Sequence, residues 1–202
     1  MRFPLPKKNE QGEYKNGIMK RLAELTEYGP LNQGPESEWL KNKLIPYYYS
    51  ARDPARPCFY YFNGVHQRVE KDKPKGSFKA EDMGVGAAYA KAGADAIEND
   101  ALDPFVRMLI NDLETGGNDG WTVLMENDTH SVRSYMASKY LPSYSLNLPP
   151  RHLSSDVINW CNLLQNSSGG YDRALSELVF SALAFANVGN NNYGDVDWKC
   201  FE

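Results

Sequence analysis

An Asn-Gly pair between two β-prone runs constrains the fold of this sequence more than any other feature. Residues 59–62 are all aromatic, Asn63-Gly64 follows them, and residues 65–69 form a second β-prone run. Asn and Gly tolerate the positive φ angles of a tight turn whose twist matches that of the paired strands. The sequence therefore predicts a β-hairpin within residues 58–69. Residues 47–49, three tyrosines, give a further strand signal.

Two short helical patterns precede the hairpin. Residues 18–25 carry an apolar stripe at helical spacing, and Gly29-Pro30 is placed to cap and stop that helix. Residues 37–44 are predicted to form a second short helix ahead of Pro46. The charged segment 71–79 is predicted to be a loop.

The second half of the sequence has the spacing of helices. From residue 101 the apolar positions follow a helical period, Asp103-Pro104 suits a helix start, and Gly116-Gly117 suits its end. Asp128 or Thr129 is expected to cap a helix over 131–139, and a proline-bearing loop covers 141–150. The remaining predicted elements are helices over 121–125, 155–164 (capped by residues 154–156) and 174–186, and a strand that begins at 198–201.

These patterns predict an α+β fold with a β-hairpin and a helix-rich second half. A single partial domain is expected over residues 1–202, with residues 1–82 mixed and residues 83–190 mainly helical.

Composition excludes some classes of function. The 202 residues carry a net charge of −4 and a pI near 5.5, so no basic surface exists to hold nucleic acid. No apolar run is long enough for a membrane span, and the first residues lack a signal-peptide core, so we expect an intracellular protein. Secretion is the alternative if an upstream signal segment was lost; the sequons at Asn127 and Asn166 would matter only then. The three cysteines are expected to be reduced, mostly buried thiols.

The segment Gly84-Val85-Gly86-Ala87-Ala88-Tyr89 resembles the start of a dinucleotide-binding fingerprint. That fingerprint needs a third small residue for close packing of helix against strand, and Tyr89 is too large. No buried strand precedes the segment. A connector or the start of a helix is the better interpretation.

No residue pattern names a reaction. The three histidines lack ligand spacing, so no metal site is predicted and surface or capping roles are expected for them. Four acidic residues within 95–103 do not match a calcium-binding loop, and a solvated acidic turn is predicted there. No catalytic residue is assigned.

Five segments in order resemble the flavin-dependent amine oxidoreductases, specifically the L-amino-acid oxidase branch. Met1-Arg2-Phe3-Pro4 resembles the family's G-x-M-R-[FLI]-P, without its leading residues, and residues 60–65 resemble its F-Y-x-N-G-V. Gly120-Trp121 with residues 128–136, here termed the SVR segment, resembles G-W … D-x-x-S-V-R-x-Y-L. The last two are residues 170–177, here termed the YD segment, which resembles Y-D-x-[AS]-[FL]-[ST]-E, and residues 198–202, which resemble the approach to a Gly-Gly pair.

This resemblance implies a function and a site. Such enzymes pass a hydride from the α-carbon of an amino acid to FAD, which yields a keto acid, ammonia and hydrogen peroxide. The arginine of the family's M-R-x-P lies beside the flavin and holds the substrate carboxylate. That role carries over to Arg2 as substrate ligand, and Met1 and Arg2 become the residues expected beside the cofactor. The alternative for Arg2 is a solvated terminal residue.

The resemblance covers only the middle of the family's fold, a partial substrate-binding domain with its helical insertion. The FAD fingerprint upstream and the FAD segment downstream are absent, so we expect no activity from this chain alone. The expected partners are an amino-acid substrate once the chain is complemented, the missing parts of the same oxidase, or a second copy of the chain.

The alternative from another class is a non-catalytic α+β binding or interaction module, or the product of a decayed gene. The oxidase hypothesis predicts that residues 1–4 and 198–202 lie side by side, with unpaired strand edges and apolar surface there. The alternative predicts a closed, polar surface.

Overall fold

The computed structural model describes residues 2–14, 19–47, 58–62, 64–68, 78–164, 169–185 and 196–201. In chain order, the strands are β1 (Arg2–Pro6), β2 (Leu44–Pro46), β3 (Phe59–Phe62), β4 (Val65–Arg68) and β5 (Val196–Phe201). The helices are α1 (Lys20–Thr26), α2 (Ala87–Ala92), α3 (Ala94–Thr115), α4 (Asp119–Glu126), α5 (Val132–Ser138), α6 (Ser155–Leu164) and α7 (Leu175–Phe185).

This composition of helices and antiparallel strand pairs confirms the predicted α+β class with a helix-rich second half. The chain divides into two compact units, which we term the sheet unit (residues 1–52 with 183–202) and the helical unit (residues 53–182). The expectation of one partial domain divided near residue 82 stays a prediction.

The first predicted helix ends earlier than expected in the sheet unit. Helix α1 stops at Thr26, and Gly29–Leu31 forms a separate 3-10 turn with Pro30 in its first turn. Proline lacks an N–H and has a fixed φ, so it suits the start of a turn as well as the stop of a helix. Gly29 therefore begins a turn, and the prediction that it caps the helix was wrong.

The second predicted helix, over residues 37–44, was also wrong. Two 3-10 turns, Glu36–Glu38 and Leu40–Lys43, flank an extended Trp39, and Leu44 already belongs to β2. A side-chain hydrogen bond is found here where a helix would have backbone hydrogen bonds: Trp39 Nε1 donates to the Gly34 carbonyl at 3.1 Å. Such local side-chain bonds to the backbone compete with helix formation. Tyr47 follows β2 without joining a strand, and residues 48–49 lie outside the described residues.

The hairpin of the helical unit confirms the prediction. Strands β3 and β4 pair antiparallel from Phe59 opposite Arg68 to Phe62 opposite Val65. Gly64 has φ +78°, the left-handed conformation that a tight turn requires. Asn63 and Val69 lie outside the described residues. Tyr60 stacks on Phe78 with ring centroids 5.7 Å apart, which attaches the hairpin to the rest of the unit.

Helix α3 begins well before the predicted start at Asp103-Pro104. It runs from Ala94 to Thr115 with Pro104 inside it, and Gly93 at φ 88° precedes its first turn. The buried face, which includes Ile97 and Val106, continues across the proline, so burial there offsets the hydrogen bond that proline removes. Gly116, at φ 73°, ends the helix as predicted.

The other helices follow their predictions closely. Helices α4, α6 and α7 confirm the expected elements, and residues 141–150 form a loop with a single 3-10 turn, Tyr144–Leu146. Helix α5 is also confirmed, but its cap is Ser131, whose Oγ accepts the Ser134 N–H at 3.1 Å. The expected caps, Asp128 and Thr129, lie in the turn before it.

A continuous apolar core holds the helical unit together. Its largest fully buried side chains are Trp160, Tyr171, Ile97, Leu124, Met136, Ile158, Leu175, Val106, Val132 and Val179. Trp160 Nε1 donates to the Phe78 carbonyl at 2.8 Å, which satisfies the polar atom of the largest core residue. Among the described residues, no helix is long and apolar enough to span a membrane.

Candidate functional site

Arg2, the residue expected to hold a substrate, lies in a three-stranded antiparallel sheet of order β1-β5-β2. Arg2 pairs with Cys200 of β5, and Cys200 pairs in turn with Ile45 of β2. The neighbouring row pairs Phe3 with Lys199, and the row after it places Pro4 opposite Trp198. Residues from both ends of the sequence therefore lie side by side, as predicted.

Proline interrupts both outer strands of this sheet. Within the described residues β1 and β2 pair only with β5, and they carry Pro4, Pro6 and Pro46. Proline is tolerated in a strand where its nitrogen faces away from the paired neighbour. Both outer edges therefore lack some donors, which disfavours the addition of another strand.

Arg2 is placed by its backbone register, so its expected grip on a carboxylate stays a prediction. Met1, the other residue expected beside the cofactor, lies outside the described residues. The described side chains of the same row are apolar: Cys200 is half-buried and Ile45 is 41% exposed.

A charged cluster occupies another part of the sheet unit. Glu27 accepts hydrogen bonds from Lys8 Nζ at 2.8 Å and from the Tyr14 hydroxyl at 2.8 Å. Partial burial of Glu27 opposes ionisation, but these bonds outweigh it and hold the pKa of Glu27 below its ordinary value. Burial and the bond to Glu27 raise the pKa of Tyr14 to about 12.

This cluster borders an open cavity of about 350 Å³, lined by Gly12, Glu13, Tyr14, Lys20, Glu24 and Glu27. Lys20 lies 3.8 Å from Glu24, and Glu27 is satisfied by Lys8 and Tyr14. The charges therefore mostly satisfy one another, and the cluster ties the segment that follows β1 to the end of α1.

The SVR and YD segments pack together in the helical unit. Ser131 and Ala174 form an antiparallel bridge, and the Leu175 N–H donates to the His130 carbonyl at 2.9 Å. We term this junction the clasp. It joins the start of α5 to the start of α7, which lies 43 positions later in the sequence, after a loop and α6.

An arginine fixes the outer side of the clasp. Arg133 Nε donates to Asp172 Oδ1 at 2.7 Å, and Arg133 Nη1 donates to Asn159 Oδ1 at 2.6 Å. The guanidinium thus connects α5, α6 and the turn that contains Asp172. Planar, multidentate donation of this kind fixes geometry better than a lysine would.

The acidic residues within 95–103 do not form the solvated turn that the sequence suggested. They lie inside α3, where Asp95, Glu98, Asp100 and Asp103 are all half-buried. Burial raises the pKa of Asp103, and the Arg107 charge opposes that shift. The prediction of a solvated turn failed because the sequence of this segment does not show which distant buried tyrosines will donate hydrogen bonds to its carboxylates.

Two of these carboxylates hold buried tyrosines. The Tyr171 hydroxyl donates to Glu98 Oε2 at 2.6 Å, and the Tyr140 hydroxyl donates to Asp100 Oδ2 at 2.5 Å. Asp100 Oδ2 also accepts the Ser143 N–H at 2.9 Å. Burial, with the nearby negative charge of Glu98, raises the pKa of Tyr171 well above its ordinary value, and burial with the bond to Asp100 does the same for Tyr140.

Comparison with known proteins identifies the family. No family model matches the chain. The chain is 42% identical over 144 residues to the cytotoxic L-amino-acid oxidase of Amanita phalloides, an alignment that covers 69% of this chain and 96% of that protein. This chain belongs to the L-amino-acid oxidase family.

Other relatives of this L-amino-acid oxidase family member are longer. L-amino-acid oxidase 4 of Hebeloma cylindrosporum is 40% identical over 202 residues, which is the whole chain but 30% of that protein. A putative bifunctional amine oxidase of Dictyostelium discoideum is 24% identical over 205 residues, or 16% of its length. The chain thus spans less than a third of these two relatives.

The segment Gly84–Tyr89 does not fit a dinucleotide in this family member. Gly86 precedes the first turn of α2, and Tyr89 is buried, so the segment is the start of a helix as predicted. Gly84 faces the carboxylate of Asp156, which would lie 3.8 Å from an added Cβ. A negative charge at that distance repels a pyrophosphate, so these residues form no cradle for FAD.

The histidines and cysteines take modest roles. His152 Nδ1 lies 2.8 Å from the Tyr140 carbonyl, and His130 Nδ1 lies 3.2 Å from Ser134 Oγ. Among the described residues, Cys58, Cys161 and Cys200 all lie outside disulfides, and Cys161 is buried. Within the described residues, no group of His, Cys, Asp and Glu is arranged to hold a metal ion.

Sequence reasoning missed several side chains that fix the structure. Asp112 Oδ2 accepts the Trp121 N–H at 2.8 Å and so caps α4 from the end of α3. Sequence reasoning also missed Glu27, which accepts the hydrogen bonds of Lys8 and Tyr14, and Ser131, which caps α5. For Ser131 a signal was present, because serine directly before an apolar helical run is a strong cap signal.

Proposed function

We propose that this chain supplies the substrate-side and helical part of an FAD-dependent L-amino-acid oxidase, which converts an amino acid to a keto acid, ammonia and hydrogen peroxide. The supporting observation is the 40% identity to L-amino-acid oxidase 4 that extends over all 202 residues. Since those residues make up 30% of that relative, we infer that the chain alone is inactive and works together with further oxidase segments.

In this proposal Arg2 holds the substrate carboxylate. A guanidinium offers two parallel N–H donors in a planar fork, which fits the two oxygens of a carboxylate. Two such bonds fix the direction of the α-carbon as well as its position. The pairing of Arg2 with Cys200 in β5 gives its backbone a fixed register, which favours this role over a solvated end.

FAD supplies the redox chemistry when bound, and the protein orients the substrate. The segment Gly84–Tyr89 offers no cradle for it, because the Asp156 carboxylate faces Gly84 and Tyr89 is buried. In this proposal the cofactor is held by other polypeptide, either joined to this chain or bound as a separate chain.

A chimera tests the proposal. The 202 residues of L-amino-acid oxidase 4 that align with this chain are replaced by this chain, and flavin absorbance, hydrogen peroxide and keto acid are measured with a panel of L-amino acids. We expect bound flavin and oxidation of L- but not D-amino acids. The isolated chain, measured in parallel with added FAD, is expected to form no peroxide.

Arg2→Lys in the chimera serves as the matched variant. It keeps the charge but loses the planar fork, so KM for the amino acid is expected to rise by at least about tenfold. A chimera that folds and binds flavin but oxidises no L-amino acid would contradict the proposal and favour a non-catalytic binding module.

A further inference from the structure

The sheet register indicates where the side chain of a bound amino acid lies. On the basis of the proposed function of Arg2, we propose that Ile45 and Cys200 contact the substrate side chain and determine which amino acids the oxidase accepts. The three residues form one row across the sheet, with Cys200 in the middle.

The spacing of the row suits an amino acid. Neighbouring strands lie about 4.8 Å apart, so Cys200 is one strand and Ile45 two strands from Arg2, roughly 5 and 10 Å along the row. Residues paired directly across antiparallel strands belong to the same face of the sheet. A ligand whose carboxylate is held at the Arg2 end therefore extends its side chain over Cys200 and toward Ile45.

The surface that this side chain meets is apolar and open. Ile45 is 41% exposed although it is a branched apolar residue, and Cys200 is half-buried. Lys199 directly precedes Cys200 in β5 and so belongs to the opposite face. An ionised substrate side chain over this row gains no opposite charge from Cys200 or Ile45, and it loses hydration.

A charge introduced into the row is the first test. Ile45→Glu in the chimera is expected to lower kcat/KM for L-leucine by about tenfold and to raise it for L-lysine by a similar factor, in the range that pocket contacts provide. Pro46→Glu is the matched control, because Pro46 is exposed on the same strand but alternates with Ile45 and so belongs to the other face. It is expected to leave the leucine-to-lysine ratio unchanged.

Thiol protection is a second test that needs no turnover. The alkylation rate of Cys200 by iodoacetamide is followed by peptide mass spectrometry with 4-methylpentanoate, which has the carboxylate and side chain of leucine but no amino group to oxidise. We expect at least about threefold protection of Cys200, none with acetate, and none at Cys58, which is also half-buried but belongs to the helical unit.

The outcomes separate this inference from the proposed function. A chimera that oxidises L-amino acids but shows neither a changed leucine-to-lysine ratio in Ile45→Glu nor protection of Cys200 overturns the inference alone. A chimera that binds flavin, oxidises no amino acid and shows no protection overturns both. Protection that is lost in Arg2→Ala, together with the shifted ratio, supports both.

Discussion

Gly120 is expected to be intolerant of even a single added methyl group. It is buried in α4, where α4 packs against α3. A Cβ at Gly120 would lie 2.5 Å from the Met108 carbonyl carbon, 2.7 Å from its oxygen and 2.8 Å from the Leu109 nitrogen. All three atoms are backbone, so no side chain can rotate away to make room.

The magnitude follows from this geometry. Ordinary contacts of a Cβ begin near 3.4 Å, so α4 must move away from α3 by about 0.9 Å. Overpacking of this kind costs about 1–3 kcal/mol. The shift also weakens the bond from the Trp121 N–H to Asp112, while the better helix propensity of alanine offsets about 1 kcal/mol. We expect Gly120→Ala to lower the free energy of unfolding by about 2 kcal/mol.

Urea denaturation followed by circular dichroism at 222 nm measures this loss, with Gly86→Ala as the control. Gly86→Ala is the same substitution at another position of the helical unit. The added Cβ would lie no closer than 3.9 Å to Tyr89, and the φ of −62° at Gly86 suits any residue. A loss under about 1 kcal/mol at Gly120, or an equal loss at Gly86, would refute the packing argument.

Three further predictions concern the helical unit. Ser131→Ala removes the cap of α5 and is expected to cost about 1 kcal/mol in urea denaturation, whereas Ser131→Asp, which can still accept the Ser134 N–H, should cost less than half of that. Arg133→Lys loses one of the two hydrogen bonds that the guanidinium makes to Asp172 and Asn159, so we expect the free energy of unfolding to fall by about 1 kcal/mol. This loss should persist in 1 M salt, because the substitution removes a geometry and keeps the charge; complete recovery of stability in salt would contradict this. Burial raises the pKa of Cys161 and of Tyr171, so the unfolded chain releases these protons first and the free energy of unfolding falls as pH rises above about 9. Denaturation at pH 7, 9 and 10.5 should show a flat and then falling midpoint, and Tyr171→Phe should reduce the slope above pH 10 by up to about 1.4 kcal/mol per pH unit.

Local sequence signals were sufficient to predict those elements whose conformation is set by the residues within them. The hairpin at Asn63-Gly64 followed from turn chemistry, and the end of α3 at Gly116 followed from the need for a residue at positive φ. The start of α3 could not be predicted in the same way. Pro104 is a sound local stop signal, but burial of residues on both sides of it in a shared core outweighs one lost hydrogen bond.

The candidate site was harder to predict because it depends on pairings between distant segments. The motif resemblance supplied Arg2, but only the register of β5 showed that Cys200 and Ile45 share its row. No periodicity in residues 44–46 or 196–201 encodes that neighbourhood, since a shift by one residue would move every side chain to the other face. The acidic residues of α3 illustrate the same limit, because their tyrosine partners lie 40 and 73 positions away.

The recognisable family segments therefore perform two different physical tasks. Gly120, the SVR segment and the YD segment permit close helix packing and form the clasp, where Ser131 caps a helix and Arg133 bonds to Asp172. The side chains in these interactions are not available for proton transfer, because the donors and acceptors of Ser131, Arg133 and Asp172 are already paired with one another, with a neighbouring side chain or with the backbone. Substitutions in these segments should consequently change stability before they change the amino acid preferred. The reverse is expected along the row of Arg2, where Ile45 is exposed and contributes little to the core. Comparing the two groups of variants by unfolding free energy and by substrate preference distinguishes the scaffold of this chain from its proposed site.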